Sequence, residues 1–183
     1  MVLVALDVDS RADHAVAAGV IADRWDDPAP RFERVARVAT VAAYVPGRFF
    51  EREMPCLLAV LERLGQGIEG GSPTLVSIDV VVVDGYVTLD PAGRPGLGAH
   101  LFEALEGRVA VVGVAKTAFR SATHALPVLR GRSQRPLFVT AAGLDPAVAA
   151  ARVAAMHGPH RVPTLLARAD ALCRSARPTS RSG

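Results

Sequence analysis

Lysine is almost missing from this chain: of 21 basic residues only Lys116 is lysine, and the rest are arginine. In a sequence that otherwise always chooses a planar guanidinium, the one surviving lysine points to a position where a compact ammonium is required. Cysteine is scarce too, with Cys56 and Cys173 far apart and each inside a helical pattern. That argues against a disulfide framework or a thiolate metal centre, and fits buried, reduced thiols and a cytoplasmic location. Long apolar runs are also lacking. No stretch reaches the roughly 18 residues that a membrane span needs, and no basic segment precedes the first apolar run as it would in a signal peptide. Charge of either sign is modest: 21% of residues are charged and the formal net charge is +3, which allows nucleic acid as a partner without requiring it. With 183 residues, half of them hydrophobic, the chain is long enough for one well-buried domain and short for two. The expected domain covers residues 1–174, as a monomer, and residues 175–183 form a basic, Ser/Pro-rich tail expected to be disordered.

The most informative stretch is Leu75 to Gly85, an apolar, β-branched run between the Gly70-Gly71-Ser72-Pro73 breaker and a glycine. It reads as a strand buried on both faces, with Asp84 at its carboxyl edge, where open α/β sheets place their ligands. Ahead of it, Val2 to Val8, Ala15 to Asp23 and Phe32 to Val41 read as three strands of an antiparallel meander, the last two separated by a polar Trp25 to Pro30 turn. Phe49 to Leu64 carries a helical apolar stripe. After the central strand come a short helix over 96–105, a buried strand over 108–115 ending just before Lys116, and an Arg-rich surface loop over 117–135 with an extended piece at 128–129. A short strand over 136–140 and helices over 145–156 and 163–174 complete the chain, the first of these helices opened by Asp145-Pro146. The order βββαβαβ is the connectivity of ribonuclease H-like folds: a mixed α/β sheet of three antiparallel strands, then parallel crossovers, flanked by helices.

In that connectivity the first strand lies beside the fourth, so Asp7 and Asp84 can face one another while Glu53 approaches from the connecting helix. Three carboxylates from three elements suit Mg²⁺, or Mn²⁺ in its place, and a bound phosphate. By pattern alone Asp9 competes with Asp7, and Glu51 with Glu53. Asp79, on the opposite face from Asp84, reads as structural.

A set of short motifs, in order and with compatible spacing, then carries a resemblance over nearly the whole chain. They are Leu6-Asp7-Val8-Asp9, Tyr44-Val45-Pro46-Gly47, Arg52-Glu53-Met54-Pro55, Val83-Asp84-Gly85, Gly96-Leu97-Gly98-Ala99-His100 and Val112-Gly113-Val114-Ala115-Lys116. Phe138-Val139-Thr140 and Arg161-Val162-Pro163 through Ala169-Asp170 follow. Together they resemble the endonuclease V family of deoxyinosine 3′-endonucleases. The resemblance selects Asp7 and Glu53 over their neighbours and implies a catalytic set of Asp7, Glu53, Asp84 and Lys116. The three acids would surround Mg²⁺, and Lys116 would sit at the scissile phosphate. It also implies a wedge at Tyr44-Val45-Pro46 that parts the strands while the deaminated base leaves the stack. Backbone groups of Gly47, Phe49, Gly85 and Leu97 would read hypoxanthine.

The implied reaction is hydrolysis of the second phosphodiester 3′ to the lesion, in DNA with RNA as an alternative, leaving 3′-hydroxyl and 5′-phosphate ends in DNA repair. Candidate phosphate contacts are Arg48, Arg52, Arg94, Arg120, Arg130 and Arg132. The chain departs from the family pattern at Leu89-Asp90-Pro91, where a His usually precedes the proline, and at Tyr86, where a small residue or His is common. It also begins almost at the first strand, without the N-terminal helical segment usual in the family. Asp90 cannot donate a proton from a cationic ring, and with His100 it is an accessory candidate. Two alternatives follow: a weakened relative that binds nucleic acid but cuts poorly, and a small-molecule α/β enzyme acting on phosphorylated metabolites.

Overall fold

A computed structural model of the chain describes residues 1–11, 13–39, 50–65 and 78–176. It opens with three strands, β1 (Leu3–Ser10), β2 (His14–Ala22) and β3 (Phe32–Ala39), each antiparallel to the next. Helix α1 (Phe50–Gly65), strand β4 (Val80–Asp84), helix α2 (Leu97–Ala104) and strand β5 (Ala110–Ala115) follow. Strands β6 (Leu126–Val128) and β7 (Leu137–Ala142) and helices α3 (Pro146–Ala155) and α4 (Thr164–Ser175) come last. The seven strands form one sheet in the order β3-β2-β1-β4-β5-β7-β6, with β4 parallel to both its neighbours. This is the mixed, helix-flanked sheet expected from the sequence.

Side chains alternate across a strand, and here the alternation divides the core into two layers. Val81 and Val83 of β4 point to the layer built with Leu57, Val60, Leu61 and Leu64 of α1 and Leu101 of α2. Val80 and Val82 point the other way, to Ala149 and Val153 of α3 and Leu165 and Ala169 of α4. All four valines are at most 1% exposed, so a continuous apolar run is what a central strand under two helical layers requires. Each fully buried Val contributes about 1.5–3 kcal/mol of burial free energy. Leu3 and Ala5 of β1 join the α3–α4 layer, and the same parity carries Asp7 and Asp84 toward that layer at the carboxyl ends of their strands.

The structure differs from the sequence reading in three places. Strand β4 starts at Val80, with Ile78 and Asp79 ahead of it, and residues 75–77 lie outside the described residues. Asp79 accepts the Val2 amide at 2.7 Å, a structural contact that anchors the start of β1. Trp25 is no part of a solvated turn: it is 4% exposed and packs in the α3–α4 layer. The extended piece in the Arg-rich loop is the edge strand β6, ending at Val128 rather than starting there. No helix among the described residues is long and apolar enough to cross a membrane.

Candidate active site

Register assembles the site. Leu6 pairs with Val83 across the parallel β1–β4 ladder, so the next residue on each strand, Asp7 and Asp84, ends side by side. Asp84 in turn pairs with Val114 of β5, and Lys116, two residues on and on the same face, reaches it: Nζ lies 2.6 Å from Asp84 Oδ2. Glu53 enters from the first turns of α1 and is 7% exposed, its carboxyl within the fields of Asp7 and Asp84. A cleft of about 330 Å³ is lined by Asp7, Asp9, Glu53, Asp84 and, from α4, Asp170 and Cys173.

Two of the acids, Asp7 and Glu53, hold protons unusually tightly. Burial, then the charge of Asp84, pushes the Asp7 carboxyl up to about 7 against the opposing pull of the Val8 amide and Lys116. Burial, then Asp7 and Asp84, pushes Glu53 up to about 8. For Lys116, burial lowers the pKa, but the bond to Asp84 and the fields of Asp84, Asp7 and Asp170 outweigh it, and the net shift is upward. Cys173, whose Sγ donates to the Asp170 carbonyl at 3.1 Å, is pushed up to about 12 by burial and the neighbouring acids, so it stands as a thiol.

Asp9 is set apart from this group. Its Oδ2 accepts Arg11 Nε at 2.9 Å, and Arg11 also donates to the Arg174 carbonyl at 2.9 Å. With Arg37, which donates to Ala176 at 2.8 Å, Arg11 caps the carbonyl end of α4 and fixes that helix against β1 and β2.

Oxygen donors this crowded and this protonated suit a hard divalent cation, which would relieve their mutual repulsion. As the side chains stand, no group of three His, Cys, Asp or Glu among the described residues is a set that could hold a metal ion. Two acids are turned to other partners: Asp84 to Lys116, and Asp7 Oδ1 to the Val8 amide at 2.8 Å.

Of the other residues singled out from the sequence, Tyr44, Val45, Pro46, Gly47, Arg48 and Phe49 lie outside the described residues. Gly85 takes φ +137°, a conformation that L side chains rarely adopt, and its amide donates to Val114 at 3.3 Å. Leu97 starts α2, held between Gly96, which donates to Val87 at 2.8 Å, and Gly98, which donates to Tyr86 at 3.0 Å. His100 stands away from the acids, its ring stacked on Phe50 at 3.8 Å between α1 and α2. Asp90 is also away from them: it accepts the Arg94 amide at 3.0 Å and pairs with that guanidinium at 3.3 Å, closing a turn. Arg130 is not available to phosphate. It is 6% exposed and donates to the carbonyls of Ala154 at 3.3 Å, His160 at 3.0 Å and Gly158 at 3.3 Å, tying the chain between α3 and α4. Arg120 and Arg132 are exposed.

Two residues of the site, Asp170 and Arg161, lie in a segment that carries the family resemblance but took no role from it. Asp170 lies one turn beyond Leu166 on α4, and Leu166, with Val162 just ahead of the helix, lines a small cavity with Asp7, Asp84 and Lys116. An acid continuing an apolar stripe at a spacing of four was the available signal. Arg161 donates to the Lys116 carbonyl and, at 2.8 Å, to that of Pro136, bracing the backbone beneath the lysine.

Two acids side by side on adjacent parallel strands, with a lysine just past the end of the third, sit on a mixed sheet of the ribonuclease H-like kind. The endonuclease V family model matches residues 1–152. Endonuclease V of Streptomyces avermitilis is 31% identical over 192 aligned positions, spanning 92% of this chain and 76% of the relative, and that of Streptomyces coelicolor is 32% identical over 193, spanning 92% and 75%. A crystal structure of the S. avermitilis protein superposes with a TM-score of 0.68 at 29% identity, covering 95% of this chain and 80% of that one. Ciona intestinalis endonuclease V, in complex with a 23mer DNA containing an inosine followed by a ribo-adenosine, gives a TM-score of 0.76 at 18% identity over 94% of this chain and 83% of that one. The chain belongs to the endonuclease V family, which is a family of metal-dependent endonucleases.

Proposed function

We propose that the protein cleaves nucleic acid beside deaminated purines, hydrolysing the second phosphodiester 3′ to an inosine in DNA, with RNA as a further substrate, and leaving 3′-hydroxyl and 5′-phosphate ends. It does so as a cytoplasmic monomer with Mg²⁺, for which Mn²⁺ substitutes. The observation that carries this reading is the convergence of Asp7, Glu53 and Asp84 on one cleft with Lys116 bonded to its rim. Asp7, Glu53 and Asp84 would hold the ion, with Asp170 beside them; Asp84 would then no longer hold Lys116, nor Asp7 the Val8 amide. When bound, the ion supplies an activated water and neutralises charge on the phosphate. The freed Lys116 ammonium holds a non-bridging phosphate oxygen, and Arg161 keeps the lysine backbone in place. On the family resemblance, backbone groups of Gly85 and Leu97, with those of Gly47 and Phe49, read the extruded base, and Tyr44-Val45-Pro46 is the wedge.

The test is incision of an end-labelled duplex with a single inosine, in Mg²⁺ and in EDTA, by the parent and by Asp84→Asn. Metal-dependent cutting at one position 3′ to inosine, lost in Asp84→Asn, is the expected result; equal cutting by the variant refutes the assignment. Asp90 at the position of the usual His favours a second reading, a protein that binds such sites but cuts poorly. Binding without a nick at equimolar protein is its signature.

A further inference from the structure

Tyr86 and Phe119 have no part in the chemistry above, yet the structure uses one to present the other. Tyr86 lies two residues beyond Asp84 and is buried. Its hydroxyl donates to the Thr117 carbonyl at 2.8 Å and accepts the Phe119 amide at 3.0 Å. Phe119, three residues beyond Lys116, is 43% exposed, with its ring 6.1 Å from that of Tyr86. The Arg94 guanidinium stands 5.7 Å from the Phe119 ring and donates to Ser121 at 3.2 Å, and Ser121 donates to the Leu89 carbonyl at 2.8 Å. Thr88 and His124 join the same two loops at 2.8 Å. Both loops leave the carboxyl ends of adjacent parallel strands, the edge that carries Asp84 and Lys116.

An aromatic ring on a loose loop would turn inward and bury itself. Here five polar contacts between two loops hold the backbone beneath the ring, and the ring stays in solvent. We propose that Phe119, set by Tyr86 and flanked by Arg94 and the exposed Arg120, is a stacking platform for one nucleobase of the bound strand. An aromatic face beside guanidinium groups is what a nucleotide requires: a flat surface for the base and positive charge for its phosphates. Three residues of chain span at most about 11 Å, so the contacted base lies within about three nucleotides of the cleaved bond. Stacking is sequence-tolerant, so the platform adds affinity around the lesion without choosing neighbouring bases.

The inference rests on the endonuclease reading, but part of its test does not. Phe119→Ala and Phe119→Leu are expected to raise KM for the inosine duplex about tenfold, with kcat within about threefold of the parent. Leucine keeps apolar bulk and loses the flat face, so it separates stacking from simple burial. In Phe119→Trp, KM stays near the parent value and the new indole is quenched by a single-stranded oligonucleotide. The parent gives no quench, because its one tryptophan, Trp25, is buried. Parent-like KM in both Phe119→Ala and Phe119→Leu, or an indole in Phe119→Trp that saturating oligonucleotide leaves unquenched, overturns the platform. If the parent fails to cut at inosine, the endonuclease reading falls, and the quench in Phe119→Trp still decides the platform.

Discussion

Glu53 makes the metal-free protein sensitive to alkali. Its carboxyl is 7% exposed and raised from an ordinary value of 4.5 to about 8 by burial and by the two aspartates. An acid whose pKa is higher in the folded chain than in the unfolded one favours the fold at low pH, and the benefit is lost as pH rises through the folded value. The window therefore runs from about pH 4.5 to pH 8. Each unit of separation corresponds to about 1.4 kcal/mol, so raising the pH from 5 to 8.5 costs metal-free protein of the order of 3 kcal/mol from this residue. For a domain of this size that lowers Tm by about 10 °C. Asp7, raised to about 7, adds in the same direction.

The assay is thermal unfolding in EDTA at pH 5, 6, 7, 8 and 8.5 for the parent and Glu53→Gln, each repeated with excess Mg²⁺. In EDTA the parent Tm falls between about pH 5 and pH 8, while Glu53→Gln shows only the part of the loss that Asp7 contributes and is the more stable protein at pH 8.5. In Mg²⁺ the order reverses, because the ion binds the ionised acids and stabilises only the protein that can ionise them. A parent Tm that is flat with pH in EDTA, or a Glu53→Gln that Mg²⁺ stabilises as much as the parent, refutes the picture of a strained acid awaiting a cation.

Lys116→Ala should leave duplex binding within a few-fold of the parent and lower the single-turnover cleavage rate about 10²–10³-fold, since the ammonium acts where charge develops. Gel-shift titration and quench-flow distinguish this from a lysine that merely anchors the strand end, for which both would change little. Gly113→Ala is a test of packing at the floor of the site. A methyl there would sit 2.6 Å from the Gly85 carbonyl oxygen and 2.8 Å from the Val87 amide nitrogen, so it should cost about 1–3 kcal/mol in urea unfolding and displace Gly85.

The place of β4 beside β1 and of Asp84 at its edge was legible from periodicity and connectivity, whereas Asp7 over Asp9 and Glu53 over Glu51 came from the family resemblance. Val80 to Val83 could only be a strand covered on both faces, and its last residue had to emerge at the edge. What resisted reading was any residue whose partner is distant in sequence. Trp25 looked polar by its company of Asp26, Asp27 and Pro28, but its ring belongs to a core assembled from α3 and α4. Arg130 looked like one more surface arginine, yet the chain between α3 and α4 surrounds it with carbonyls. Asp170 follows Leu166 at a spacing of four, a weak local sign, and the packing of α4 across β1 and β2 is what brings it to the cleft. Asp90 shows the opposite failure, since a motif position suggested chemistry and the local turn claimed its carboxylate.

The bond between Lys116 and Asp84 has a consequence for timing. One ammonium cannot serve an aspartate and a phosphodiester at once, and in the resting protein it acts as the counter-ion of Asp84. On the proposed function, Asp84 would give up this contact to hold a divalent ion, and the ammonium would then be free for the backbone of the incoming strand. On that reading, loading of the ion and grip on the strand would be two sides of one exchange.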